Sequence, residues 1–265
     1  VGSNPALRIA ETVASNLMKN ELKKINENFE NQIESVTELI QFDKQIMDFC
    51  LHHLKSLNDK LKDGAPKINN PYYLADNAIM ALEGIDKNKS FTKHYSIIYN
   101  QCLVLLVSHF TLTIEKIFST VLKFQYSNDK LPKSAKNQIQ LTLDEIDEVN
   151  QNPNLLKKLL VAKKKLTFQN IGNVIKSFEN YLGIKIDKDQ KLDDIKFAFE
   201  CRHLIVHSVS KADEKFIKNC NSIKNRSIKK ALYLDEEVRF TKSELEFVKF
   251  SMLLFMQELT EKLNG

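Results

Sequence analysis

Leu103-Val-Leu-Leu-Val-Ser-His-Phe-Thr-Leu-Thr-Ile-Glu-Lys-Ile-Phe-Ser-Thr-Val121 lies inside a segment, Tyr95 to Phe124, that contains neither Gly nor Pro. Its apolar residues Leu103, Leu106, Val107, Phe110, Ile114, Ile117, Phe118 and Val121 recur at steps of three or four, the spacing of one helix face. A stripe this rich, within a segment of about eight turns, exceeds what a surface helix carries and predicts a central core helix. His109 and Glu115 ride on it.

The same reading extends outward in both directions. From Ala6 to Asp63 there is no Gly or Pro, and Leu22, Ile25, Phe29, Val36, Leu39 and Ile46 form a partly heptad-like seam. Gln32 and Asp43 interrupt it, which argues against a clean coiled coil. This predicts a long helix or a helical pair. Gly64-Ala-Pro66 and Asn69-Asn70-Pro71 are the strongest breaks in the chain, and a domain boundary or a major turn is placed there. The expected organisation is an N-terminal helical extension over 1–62, a connector with a short helix over 63–94, and a helical domain over 95–265.

Downstream, Thr142-Leu-Asp-Glu145 and Thr241-Lys-Ser-Glu244 are capping boxes, the second with Phe240 and Leu245 as a hydrophobic staple. Thr167 is read as the N-cap, and Gly183 as the stop, of a helix over Phe168 to Leu182. Ala231 to Phe240 fits a short extended segment or one small β-hairpin. The fold class is therefore all-α.

Composition sets outer bounds. Of 265 residues 43% are hydrophobic, enough for a substantial core, and the net charge of +5 permits nucleic-acid binding without demanding it. The apolar runs are short, such as Leu103 to Val107, so no membrane span is expected. Without a secretory signal, the expected location is the cytoplasm. Cys50, Cys102, Cys201 and Cys220 form no Cys-x-x-Cys pair and read as reduced, mostly buried thiols. His52-His53 point about 100° apart on a helix and lack partners at ligand spacing, so no metal site is expected.

The chemistry concentrates in one helix. From Lys191 to Val209, the stripe Leu192, Ile195 and Phe199 steps next onto Arg202. A guanidinium there is costly unless it meets an acid or a phosphate. His203 and His207, four apart, share the neighbouring face. A salt-bridged core arginine beside two surface histidines explains this pattern as readily as a site does.

Arg202, His203 and His207, late in an all-helical chain, resemble the motif of the HEPN superfamily: Arg, four to six residues, then His, commonly with Asn, Asp or His after the Arg. The segment Leu166 to Gly183 is similar to the helix that often precedes that motif. The resemblance covers roughly residues 95 to 262. It implies a HEPN-type helical bundle and a metal-independent endoribonuclease acting as a homodimer on single-stranded or looped RNA, with no cofactor. Arg202 and His207 would be catalytic, and His203 and Glu115 supporting. Glu115 would either pair with Arg202 or stand exposed near Lys116. Such proteins occur in toxin or defence systems, some with an antitoxin or regulatory protein partner; others are non-catalytic scaffolds. Some toxin members carry Tyr two residues past the motif His, where this chain has Val209. Two basic clusters are candidate RNA contacts: Lys163, Lys164 and Lys165 among leucines, and Arg226, Lys229 and Lys230. The plain alternative for the first is a solvated helix face with its lysines reaching back to water.

Overall fold

The computed structural model describes residues 5–62, 72–87, 92–163, 166–168, 170–208 and 210–264. Ten α-helices order these residues: α1 (Pro5–Lys62), α2 (Tyr72–Lys87), α3 (Thr92–Ser127), α4 (Lys133–Gln138), α5 (Leu143–Gln151), α6 (Leu155–Ala162), α7 (Ile171–Ser177), α8 (Gln190–His207), α9 (Glu214–Ser222) and α10 (Lys242–Asn264). No strand occurs among the described residues. The Gly64–Pro71 break, Lys164, Lys165 and Val209 lie outside them.

The expected core helix is α3, and two of its phenylalanines organise what surrounds it. Phe110 meets Phe29 of α1 at 6.1 Å, Phe199 of α8 at 6.2 Å and Phe255 of α10 at 5.5 Å, each edge to face. Eight residues on, or about 12 Å along the axis, Phe118 meets Phe168, Phe178 and Tyr181 in the same geometry. Such pairs add about 0.5–1.5 kcal/mol each beyond the area they bury. Among the described residues, the segment Ser96–Ser127 is the one helix long and apolar enough to cross a bilayer, although no single apolar run suggests it. Within the fold its apolar stripe packs against α1, α8 and α10.

One expectation about α1 changes. Met18, Leu22, Phe29, Ile33, Val36 and Ile40 belong to the same core as α3, so the first two-thirds of α1 are not an appendage. With half-buried Ile25 they make six steps over 22 residues, nearer the 3.6 of a straight helix than the 3.5 of a supercoil. The seam therefore drifts off the heptad positions, leaving Leu39 and Ile46 exposed. Past that point α1 packs on α2 instead: Lys55 pairs with Glu83 at 2.6 Å, and Asn58 bonds Asp76.

Both capping boxes form. Thr142 and Glu145 bond reciprocally, as do Thr241 and Glu244, with Phe240 and Leu245 buried beside the second pair. Gly183 ends its helix in the left-handed conformation at φ +71°, after one wide π-type turn over Phe178–Leu182. The start of that helix is three residues later than expected. Asn170 rather than Thr167 caps it, its side chain accepting from the Asn173 N–H at 2.8 Å. Of the two forms open to Ala231–Phe240, the extended segment is the one found, and it pairs once, antiparallel, with the residues following α8: Lys211 bridges Glu237.

Candidate functional site

α8 is held along one side from end to end. Asp189 caps it, accepting from the Leu192 N–H at 3.0 Å. Burial works against the Asp189 carboxylate, but bonds from Lys191 and from the Leu192 N–H outweigh it and hold the group below its ordinary range. Lys191 also reaches Glu258 of α10 at 2.9 Å, and Lys262 reaches Asp187 at 2.6 Å. One turn in, buried Asp194 accepts from the Ser227 N–H (2.6 Å), the Ser227 hydroxyl (2.7 Å) and the Ser251 hydroxyl of α10 (3.1 Å). With Lys191 at Glu258 and Asp194 at Ser251, α8 runs antiparallel to α10. Glu200 accepts from Asn219 of α9 at 2.9 Å, and Cys201 packs fully buried beside Cys220, its thiol pushed well up by that burial.

The far end of α8 is fixed by a relay from the core helix. Asn100 of α3, 4% exposed, donates to the Val238 carbonyl at 2.8 Å and accepts from the Phe240 N–H at 3.0 Å. The Val238 N–H donates in turn to the Ser210 carbonyl at 2.8 Å, three residues beyond His207. Ser210 takes a left-handed φ of +62°, which turns the chain back toward this segment.

What α8 presents opposite these anchors is the motif. The buried face runs through Asp194, Phe197, Cys201 and Leu204. The stripe drawn through Phe199 therefore leaves the core at Arg202, and Val206 on it is 47% exposed. His203 and His207 are exposed, with ring centroids 4.7 Å apart and planes tilted 50°. Arg202 is half-buried, and its Nε is shielded from solvent without a hydrogen-bond partner. No carboxylate among the described residues pairs with it. Glu115, expected to pair with Arg202 or stand free, is instead ion-paired to Lys157 of α6. The structure thus brings Arg202, His203 and His207 together and commits Glu115 elsewhere.

Two of the residues expected to contact RNA are engaged within the chain. Arg226 is buried: Nη1 donates to the Cys220 carbonyl at 2.7 Å, and the guanidinium lies 4.6 Å over the Phe197 ring. Lys230 pairs with Glu244 at 3.0 Å, donates to the Arg239 carbonyl and covers the Phe240 ring. Both hold the 223–240 segment onto the core. Lys163 pairs with Glu145 at 2.6 Å, while Lys229 stays exposed and reaches the Lys224 carbonyl at 3.0 Å. Exposed cations also follow the motif: Lys211, Lys215 and Lys218, the last two sharing a face of α9. Lys218 opens the second basic cluster of the sequence, whereas Lys211 and Lys215 are marked only by nearness in the chain to His207. No group of three metal-ligating side chains occurs among the described residues. His53 packs its ring 4.2 Å from Phe49, as an exposed aromatic contact.

What this geometry defines is an all-α protein in which Arg202, half-buried and without a carboxylate partner among the described residues, stands with a close histidine pair at an anchored helix end. No family model matches the chain, and neither do any of the curated proteins or solved structures compared with it.

Proposed function

We propose that this chain is a HEPN-like, metal-independent endoribonuclease whose active site is completed by a second copy of itself. The observation that carries the reading is Arg202: a half-buried guanidinium with no acid beside it, next to two exposed imidazoles. A cation kept without an internal counter-charge is suited to an external anion, and the planar guanidinium fits phosphate through paired N–H groups.

RNA supplies its own nucleophile. A histidine acting as base takes the proton of the 2′-hydroxyl, whose oxygen attacks the adjacent phosphorus. A histidine acting as acid gives a proton to the departing 5′-oxygen. The products are a 2′,3′-cyclic phosphate and a free 5′-hydroxyl, and Arg202 offsets the charge that builds on the phosphoryl oxygens. One chain offers a single arginine for this, and His207 is the principal imidazole. Two chains about a two-fold axis bring two of each. His203 steadies His207 or the substrate, and Lys211, Lys215 and Lys218 extend the basic surface along the RNA backbone. A cytoplasmic toxin or defence setting, regulated by a protein partner, fits this activity.

The test of the shared site is a mixing experiment. Arg202→Ala chains titrated into wild-type protein should lower the activity per wild-type chain, because mixed dimers carry one intact motif. Activity that stays constant per wild-type chain, or a fully active monomer, refutes the shared site. The second reading is a non-catalytic helical scaffold, or a nucleotide-binding one. The large exposed aromatic side chains of α10, which the ribonuclease reading does not use, favour it.

A further inference from the structure

Away from the motif, α1 and α10 lie antiparallel, with Lys19 bonded to the Asn264 carbonyl and Asn26 to Thr260 at 2.5 Å. Between them runs an open groove of about 700 Å³. Its floor is apolar, made by Phe29, Ile33, Leu253 and Met256, and Phe250 stands at its edge 59% exposed. A second hollow of about 920 Å³ continues past Phe250 to Phe247, which is 52% exposed. Two large aromatics three residues apart on one helix, both more than half exposed, form the kind of surface that marks an interaction site.

The groove's charge says what fits it. Glu30 and Glu34, four apart on α1, and Glu261 on α10 line it. None of the three has an ion-pair partner among the described residues; Glu261 accepts only from Gln257. The one lysine of the groove, Lys249, is neutralised by Glu246. On a chain of net charge +5, this groove is an acidic exception. Asn26 adds a buried Oδ1 with no donor. Carboxylates beside an apolar floor favour a cationic occupant and oppose an anionic lipid surface.

We infer that this groove docks a basic amphipathic helix of a partner protein, lysines or arginines meeting Glu30, Glu34 and Glu261 while its apolar face covers Phe250 and Leu253. The lining of α1 from Asn26 to Thr37 spans roughly 17 Å, so the docked helix is about three turns long. This is helix-in-groove recognition with charge setting the specificity. It is independent of the ribonuclease reading.

The probe is a fluorescein-labelled peptide of about four turns, with leucines at helical spacing and lysines flanking them, together with its counterpart carrying glutamates in place of the lysines. Anisotropy with the full chain should show saturable binding of the basic peptide only. Phe250→Glu should weaken it by about tenfold or more, the usual size of a lost aromatic anchor. Glu30→Lys with Glu34→Lys should shift preference toward the acidic peptide. All three positions reach solvent, and circular dichroism should show the variants folded. Equal binding of both peptides, no binding of either, or a Phe250→Glu variant that binds like wild type overturns the inference. So does a wild-type dimer that Phe250→Glu dissociates, which makes a second copy the occupant, or Phe250-dependent binding to vesicles of anionic lipid.

Discussion

Replacing Asn100 by Ala breaks the relay that fixes the end of the motif helix. The side chain is 4% exposed and makes two bonds, to the Val238 carbonyl and from the Phe240 N–H, both residues being buried themselves. Alanine leaves one buried acceptor and one buried donor without partners, at about 1–3 kcal/mol each. The methyl group leaves space that admits some water, so the expected loss is about 2–4 kcal/mol. For a chain of this length that lowers Tm by roughly 5–15 °C. Asn100→Asp is the informative companion. It keeps an acceptor for Phe240 but loses the donor and sets a carboxylate against the Val238 carbonyl, so it should be no better than alanine. Urea titrations followed by circular dichroism read both, with the midpoint falling and the slope unchanged. An Asn100→Ala protein within about 0.5 kcal/mol of wild type, the range of an inconsequential surface change, or full recovery with Asp, refutes the relay.

Other consequences follow from the same contacts. Deleting residues 1–62 removes Phe29 from Phe110 and uncovers the flank of α3, so the remainder should be unfolded by circular dichroism; a cooperatively folding 63–265 fragment would restore the boundary at Gly64–Pro71. Hydrogen bonds from Lys163 to Glu145 and from Lys262 to Asp187 hold both carboxyls below their ordinary values of 4.5 and 3.8. Their contribution to stability is complete above those values and is lost as pH falls through the lower folded ones. Lys262→Ala should therefore flatten the decline of the urea midpoint between about pH 5 and about pH 2, and an unchanged decline would count against that pairing. Burial raises the Cys102 thiol to about 11 and Cys201 well above its ordinary value, so a thiol reagent should label half-buried Cys50 first and the three buried cysteines only on unfolding; prompt labelling of Cys201 would contradict the packing of α8 on α9.

The elements that sequence made plain are those where local chemistry and burial agree. The α3 stripe, both capping boxes and the left-handed Gly183 depend on residues within a few positions of one another, and each forms as read. What stayed hidden depends on which neighbour arrives. Arg226 and Lys230 look like a basic patch in the chain. Nothing local reveals that Phe197 and Phe240 offer ring faces to cover, or that Glu244 waits one segment on. Glu115 likewise met Lys157 from a helix whose position no periodicity fixes. Asn100 lies one step before the first residue of the α3 stripe, where nothing in the pattern marked it. Gly and Pro mark where a helix ends and carry no sign of which core its face joins, so the packing of Phe29 on Phe110 was not legible there. The motif itself was legible because Arg202, His203 and His207 sit on one helix, where spacing alone sets their faces.

The measurement that bears most directly on the central claim is the single-turnover rate of RNA cleavage in excess EDTA by wild-type, Arg202→Ala and His207→Ala proteins. Single-stranded RNA should be cut by wild type to products ending in 2′,3′-cyclic phosphate. His207→Ala should be slower by about 10²–10⁴, the usual worth of a positioned acid or base, while RNA affinity changes little because lysines elsewhere hold the backbone. Equal cleavage by wild type and His207→Ala, or no cleavage by wild type, contradicts the ribonuclease account and leaves Arg202 and its histidines to a scaffold.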